Sequence, residues 1–237
     1  MLTLVFRTST RYPEVLAWDD EWRPALEEQG RATYEALKAV RQSLVVGRHL
    51  DHQNTSWDGL FAAQYGFAEM APYCDFLKPI LSHDILGPRL RWWHLERLKQ
   101  GPLAEIPLNV ALDWHYAQRG YDPQMSPTLA ELDKRGFSSD SVGKETKKIM
   151  DAVAGRCRVV AGIGIDVPDN IPRAGKVEEP FRSRPESVAA AIEAAFAAGA
   201  TGILVSREYD EMRVENLKAV GRTLEAIASR RATTPSP

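Results

Sequence analysis

Hydrophobic positions along this chain alternate between two kinds of run, and their order is the first clue to its architecture. Short β-branched runs close on polar residues: Ser43-Leu-Val-Val-Gly-Arg-His49, Asp75-Phe-Leu-Lys-Pro-Ile-Leu-Ser82, Arg158-Val-Val-Ala-Gly-Ile-Gly-Ile-Asp166 and Thr201-Gly-Ile-Leu-Val-Ser206. Each reads as a buried strand, with Pro79 marking a bend in the second. Longer segments with apolar residues three or four apart read as helices over 14–41, 59–73, 90–99, 106–118, 140–154, 185–199 and 211–230. Ser183 suits the cap, Pro185 the first turn and Gly199 the end of the helix over 185–199. The last helix should bury Met212, Leu217, Val220, Leu224 and Ile227.

Four strand-then-helix units predict an α/β fold with four strands side by side in a parallel sheet, because such connections are right-handed and strands so joined lie parallel. The strand over 201–206 is apolar on both faces, as expected where helices cover both sides. Residues 87–155 supply helices but no strand and read as a helical insert, so residues 1–231 form a single partial (β/α)8 domain and 232–237 a frayed tail.

Composition narrows the picture. At 237 residues with 44% hydrophobic content, the chain is long enough for one substantial core. Thirty Lys plus Arg against 32 Asp plus Glu leave a formal net charge of −2, which gives no reason to expect nucleic acid or an anionic membrane as partner. No apolar run reaches the roughly 18 residues of a membrane span, and Met1-Leu-Thr-Leu-Val-Phe-Arg7 lacks a basic signal-peptide region, so the default expectation is a cytoplasmic chain. Cys74 and Cys157 are expected as small buried hydrophobes.

Polar residues gather where each strand ends, and in parallel α/β folds that is where ligands bind. Asp166 ranks first as a catalytic carboxylate, because a buried strand delivers it and Gly162 and Gly164 leave room beside it; its alternative role is to close the loop before Val167-Pro168. Glu208 ranks second, with Arg207 beside it either holding a ligand or forming an ion pair. His49, Asp51, His52, His83 and Asp84 are candidate substrate contacts, as are Trp57 and Tyr209, whose ring faces suit the C–H face of a sugar. Trp92, Trp93, Trp114 and Tyr116 fall on helices and are expected in the core. His49, His52 and His83 with Asp84 or Asp166 would alternatively make a metal-dependent hydrolase, although the spacing has no specific metal signature. Gly162-Ile-Gly-Ile165 lacks a third glycine and a following helix start, so no nucleotide cofactor is expected, and none of any other kind.

Four stretches carry a resemblance: Val46-Gly-Arg-His-Leu-Asp-His-Gln-Asn-Thr-Ser-Trp57, Phe76-Leu-Lys-Pro-Ile-Leu-Ser-His-Asp84, Gly162-Ile-Gly-Ile-Asp166 and Gly202-Ile-Leu-Val-Ser-Arg-Glu-Tyr-Asp-Glu-Met212. They resemble the later strands of glycoside-hydrolase-like TIM-barrel proteins of bacteria, over roughly residues 15–227. The resemblance implies strands five to eight of a barrel, a carbohydrate ligand, and hydrolysis of glycosidic bonds as the reaction. It also implies either a homo-oligomer or a missing N-terminal half-barrel, since half a barrel has open edges. The chain departs from the family's pattern in having no Asn-Glu dipeptide. Glycosidases set two carboxyls about 5 to 5.5 Å apart for retention or about 6.5 to 9.5 Å apart for inversion, so a non-catalytic carbohydrate-binding protein is the second expectation.

Overall fold

The computed structural model describes residues 10–50, 66–100, 104–167, 182–206 and 211–233. Four strands, β1 (Gly47–Leu50), β2 (Phe76–Pro79), β3 (Arg158–Gly164) and β4 (Gly202–Ser206), form one sheet in chain order, every neighbouring pair parallel. The expected parallel sheet of consecutive strands is present. Its strands are shorter than the apolar runs that announced them: β1 begins at Gly47, four residues into its run, and β3 stops at Gly164, before Asp166. The bend expected at Pro79 falls where β2 ends, and Ile80 continues only as an isolated parallel bridge to Gly162.

Helix α1 (Glu14–Val40) precedes the sheet, and the short α2 (Phe67–Met70) leads into β2. The insert contains α3 (His83–Arg89), a π-helical turn (Leu90–Leu95), α4 (Glu96–Lys99) and α5 (Leu108–Arg119), then α6 (Ser139–Val153) returns the chain to β3. Helix α7 (Pro185–Ala197) crosses from β3 to β4, and α8 (Val214–Thr233) follows β4. Gly87 and Pro88 lie inside α3, so the chain is already helical before residue 90, where the sequence reading begins its helix. Helix α7 likewise has no side-chain cap; the expected cap, Ser183, is engaged elsewhere.

One face of the sheet is packed. Val142, Val188, Ala191, Ile192 and Ala195 of α6 and α7 meet Ala161, Ile163 and Ile165, while Ile149 and Val153 meet Leu77, Val159 and Leu50. The spacing of Val188, Ala191, Ile192 and Ala195 is that of a single helical stripe, which is why this alanine-rich segment folds as α7. The opposite face of β4 is not covered among the described residues: Leu204 is 43% exposed, against the expectation of a strand covered on both sides. Side chains alternate along a strand, so β4 turns Ile203 and Val205 to the helices and Leu204 away from them.

The insert has a core of its own, built on Leu90, Leu95, Leu112, Tyr116, Tyr121, Leu132 and Phe137. The cluster's two hydroxyls are both satisfied, that of Tyr116 donating to the Pro127 carbonyl (2.6 Å) and that of Tyr121 to Glu145 (2.8 Å). Of the aromatic residues expected in the core, Tyr116 is buried, whereas Trp92 and Trp114 are exposed. The Trp92 indole donates to the Asp133 carboxylate at the surface of the insert. Cys74 is buried and Cys157 half-buried, both as free thiols. No helix among the described residues is long and apolar enough to cross a membrane.

Candidate functional site

Beyond the C-terminal end of β3 the chain turns sharply, and Asp166 makes the turn with φ 52°. That left-handed conformation is costly for most residues, and aspartate is among the few that adopt it readily. Its side chain explains why it is held. The carboxylate accepts from the Ser183 amide (3.0 Å), the Arg213 amide (3.1 Å) and the Asn216 side-chain amide (3.0 Å). The Arg213 guanidinium lies 3.2 Å away as an ion pair. In return the Asp166 amide donates to the Ser183 hydroxyl (3.1 Å), and Arg213 and Asn216 both donate to the Ser183 carbonyl.

Asp166 is 1% exposed. Burial alone would raise its pKa, but the amide and guanidinium of Arg213 and the Asn216 amide outweigh that and hold it below the ordinary carboxylate value. A carboxyl held in this way stays ionised at neutral pH and has no proton to give, and both of its oxygens are occupied. The arrangement joins the end of β3, the approach to α7 and the approach to α8.

A second cluster lies at the end of β2. His83 and Asp84 open α3, and Ser187 in the first turn of α7 lies between their side chains: His83 Nε2 is 2.8 Å from Ser187 Oγ, and that hydroxyl donates to Asp84 Oδ1 (2.7 Å). His83 Nε2 is also 3.3 Å from Asp84 Oδ1. His83 is 1% exposed, and its burial lowers its pKa against the opposing pull of Asp84 and Ser187. It is therefore neutral at pH 7. Two buried atoms in the cluster, His83 Nδ1 and Asp84 Oδ2, have no hydrogen-bond partner among the described residues.

The two clusters share a support. Ser183 fastens Asp166 and Ser187 fastens Asp84, four residues apart at the start of one helix, so α7 ties the ends of β2 and β3 to each other. The insert closes in from the other side, where the Phe137 amide donates to the His83 carbonyl (2.9 Å).

Lys78 is 6% exposed on β2 and donates to the Ser206 hydroxyl at the end of β4 (2.9 Å). The strand register sets His49 opposite Lys78. Asp51, His52, Trp57, Arg207, Glu208 and Tyr209 lie outside the described residues. Among the described residues, no three His, Cys, Asp or Glu side chains gather as metal ligands.

Sequence reasoning named Asp166, His83 and Asp84 but missed Ser187, Ser183, Arg213, Asn216 and Lys78. The serines sit at a helix start, where capping is the ordinary expectation, and no local pattern links them to strands far away in the chain. No family model, curated protein or solved structure matches this chain.

Proposed function

We propose that this chain is a carbohydrate-active protein of the glycoside-hydrolase-like barrel type, built on half of a (β/α)8 barrel, with its ligand lying across the C-terminal rim of the sheet. The observation that carries the reading is the cluster of His83, Asp84 and Ser187 at the end of β2, beside a strand end fastened by Asp166. Asp84 keeps one buried oxygen without a hydrogen-bond partner among the described residues, a costly state that a donor from a ligand hydroxyl would relieve. In this reading Asp166 anchors the rim, and Glu208 is the second carboxylate that hydrolysis requires. The partial barrel is supported by parallel strands in chain order and by the uncovered face at Leu204.

A specific observation favours binding without hydrolysis as the second reading. Asp166, the leading catalytic candidate, has both oxygens occupied by fixed donors. Titrating the chain calorimetrically with a panel of oligosaccharides tests the rim, and an aryl-glycoside panel separates turnover from binding. Asp84→Ala should weaken sugar binding at least about tenfold, or roughly 1.4 kcal/mol. Binding unchanged in both Asp84→Ala and Glu208→Ala, or no binding to any sugar, would remove the carbohydrate reading.

A further inference from the structure

We propose that Cys74 and Cys157 are a reversible dithiol–disulfide pair, oxidised by a low-molecular-weight disulfide, whose bond fastens the entry of β2 to the entry of β3. Cys74 lies two residues before β2 and Cys157 directly before β3. The strands pair in parallel from Phe76 and Arg158 onward, and the Arg158 amide donates to the Asp75 carbonyl (3.2 Å), so the pairing reaches back to the cysteines. Neighbouring strands lie about 4.8 Å apart with a rise of about 3.3 Å per residue, so positions one step out of register have α-carbons about 6 Å apart. Disulfides span about 4.4 to 6.8 Å between α-carbons, a range that includes this separation. Both side chains pack in one apolar cluster with Leu77, Ile149 and Val153, and the two thiols are in hydrogen-bond contact.

The two sulfurs are not equivalent, and the difference sets the order of events. Cys74 is 4% exposed, and burial, then the Cys157 sulfur, push its pKa up to about 12. Cys157 is half-buried. Burial raises its pKa as well, but the Cys74 thiol, the Leu77 amide and Arg156 all favour its thiolate. Cys157 is therefore the thiol that meets an oxidant from solvent, and Cys74 is the buried partner that resolves the product.

The exchange balances with glutathione disulfide as oxidant. Cys157 Sγ, as thiolate, attacks one glutathione sulfur; the S–S bond breaks, and the first glutathione leaves and takes up the proton that Cys157 gave to water. Cys74 Sγ then bonds to Cys157 Sγ, the mixed disulfide breaks, and the second glutathione leaves with the proton from Cys74. Two cysteine sulfurs lose two electrons and the glutathione pair gains them. The second step is intramolecular, which offsets the poor ionisation of Cys74. The bond joins residues 83 apart in the chain, with the insert between them, at the opposite end of the sheet from His83 and Asp166. Its effect is thus on stability and not on the rim.

The test is incubation of the folded chain with glutathione disulfide at about pH 8.5, near the ordinary thiol value, read by intact mass and unreduced peptide mapping. Loss of two hydrogens, a Cys74–Cys157 linked peptide and reversal by dithiothreitol are expected. Cys74→Ser should stop at a glutathione adduct on Cys157, and Cys157→Ser should react at least about tenfold more slowly. Because either variant can lose its fold, the unaltered chain is also oxidised in urea, where the ratio of internal disulfide to glutathione adduct should fall at least about tenfold. The linked chain should unfold at higher urea, with an unfolding constant at least about tenfold lower. A lasting adduct on Cys157, a link between two chains, no reaction, an equal ratio in folded and unfolded chains, or an unchanged urea midpoint would overturn the proposal.

Discussion

Lys78 of β2 reaches Ser206 of β4 by crossing the strand between them, and it crosses at Gly162. A β-carbon at Gly162 would fall 2.6 Å from Lys78 Cε and 2.5 Å from the Pro79 carbonyl oxygen. The lysine tip can shift, but the backbone carbonyl cannot shift cheaply. Gly162→Ala is expected to destabilise the fold by about 2 kcal/mol, as overpacking in a close-packed interior does. Urea unfolding of the two chains measures this, and an unchanged midpoint would mean that β2 and β3 are looser here than the register indicates.

Removing the Asp166 carboxylate should cost more than removing a surface acid. Asp166→Ala leaves the Ser183 amide and Asn216 side chain without their acceptor in a buried place, an expected loss of about 3 kcal/mol in urea unfolding. The pH dependence follows from its depressed pKa. Its stabilisation is complete above the unfolded carboxyl value near 3.9 and is lost as pH falls through the lower folded value, so Asp166→Asn should flatten the most acidic part of the stability curve.

His115 predicts a loss that begins closer to neutrality. Burial first, then His94 and Arg119, lower its pKa to about 3. Below the unfolded histidine value of about 6.5, the unfolded chain gains a proton that the folded chain refuses. Between pH 6.5 and 5 this group should cost about 2 kcal/mol of stability, and His83 acts in the same direction. His115→Phe should reduce the slope of stability against pH in that range, and an unchanged slope would place the proton uptake elsewhere.

Gly136 should matter to the site although it carries no chemistry. A β-carbon there would fall 2.1 Å from the Asp84 carbonyl oxygen and 2.3 Å from that of His83, both rigid backbone atoms. Gly136→Ala should push the insert off the end of β2, breaking the bond from the Phe137 amide to His83. The expected readout is faster amide exchange at Phe137, with the core of β3 and α7 still protected.

Much of the layout was legible in the order of apolar runs. Strands at β2, β3 and β4 and helices α1, α6, α7 and α8 were expected within a few residues of where they lie, because each is a buried stripe or run with its own period. Strand β1 was displaced toward Leu50 because pairing with β2, and not the apolar run itself, sets its limits. Helix α3 begins at His83, and it carries Gly87 inside it because the backbone carbonyls of Leu132 and Arg135 pass too close to leave room for a β-carbon there.

The sequence by itself determined the parallel sheet and the gathering of acids and histidines after its strands, since both follow from local periodicity and the short reach of a strand-to-helix turn. Only the tertiary structure decided what those residues do. Asp166 became a clamp because Arg213 and Asn216, 47 and 50 residues later, arrive beside it, and Ser187 joined His83 and Asp84 from 104 and 103 residues away. Such contacts depend on how helices dock on the sheet, and no spacing along the chain encodes that distance.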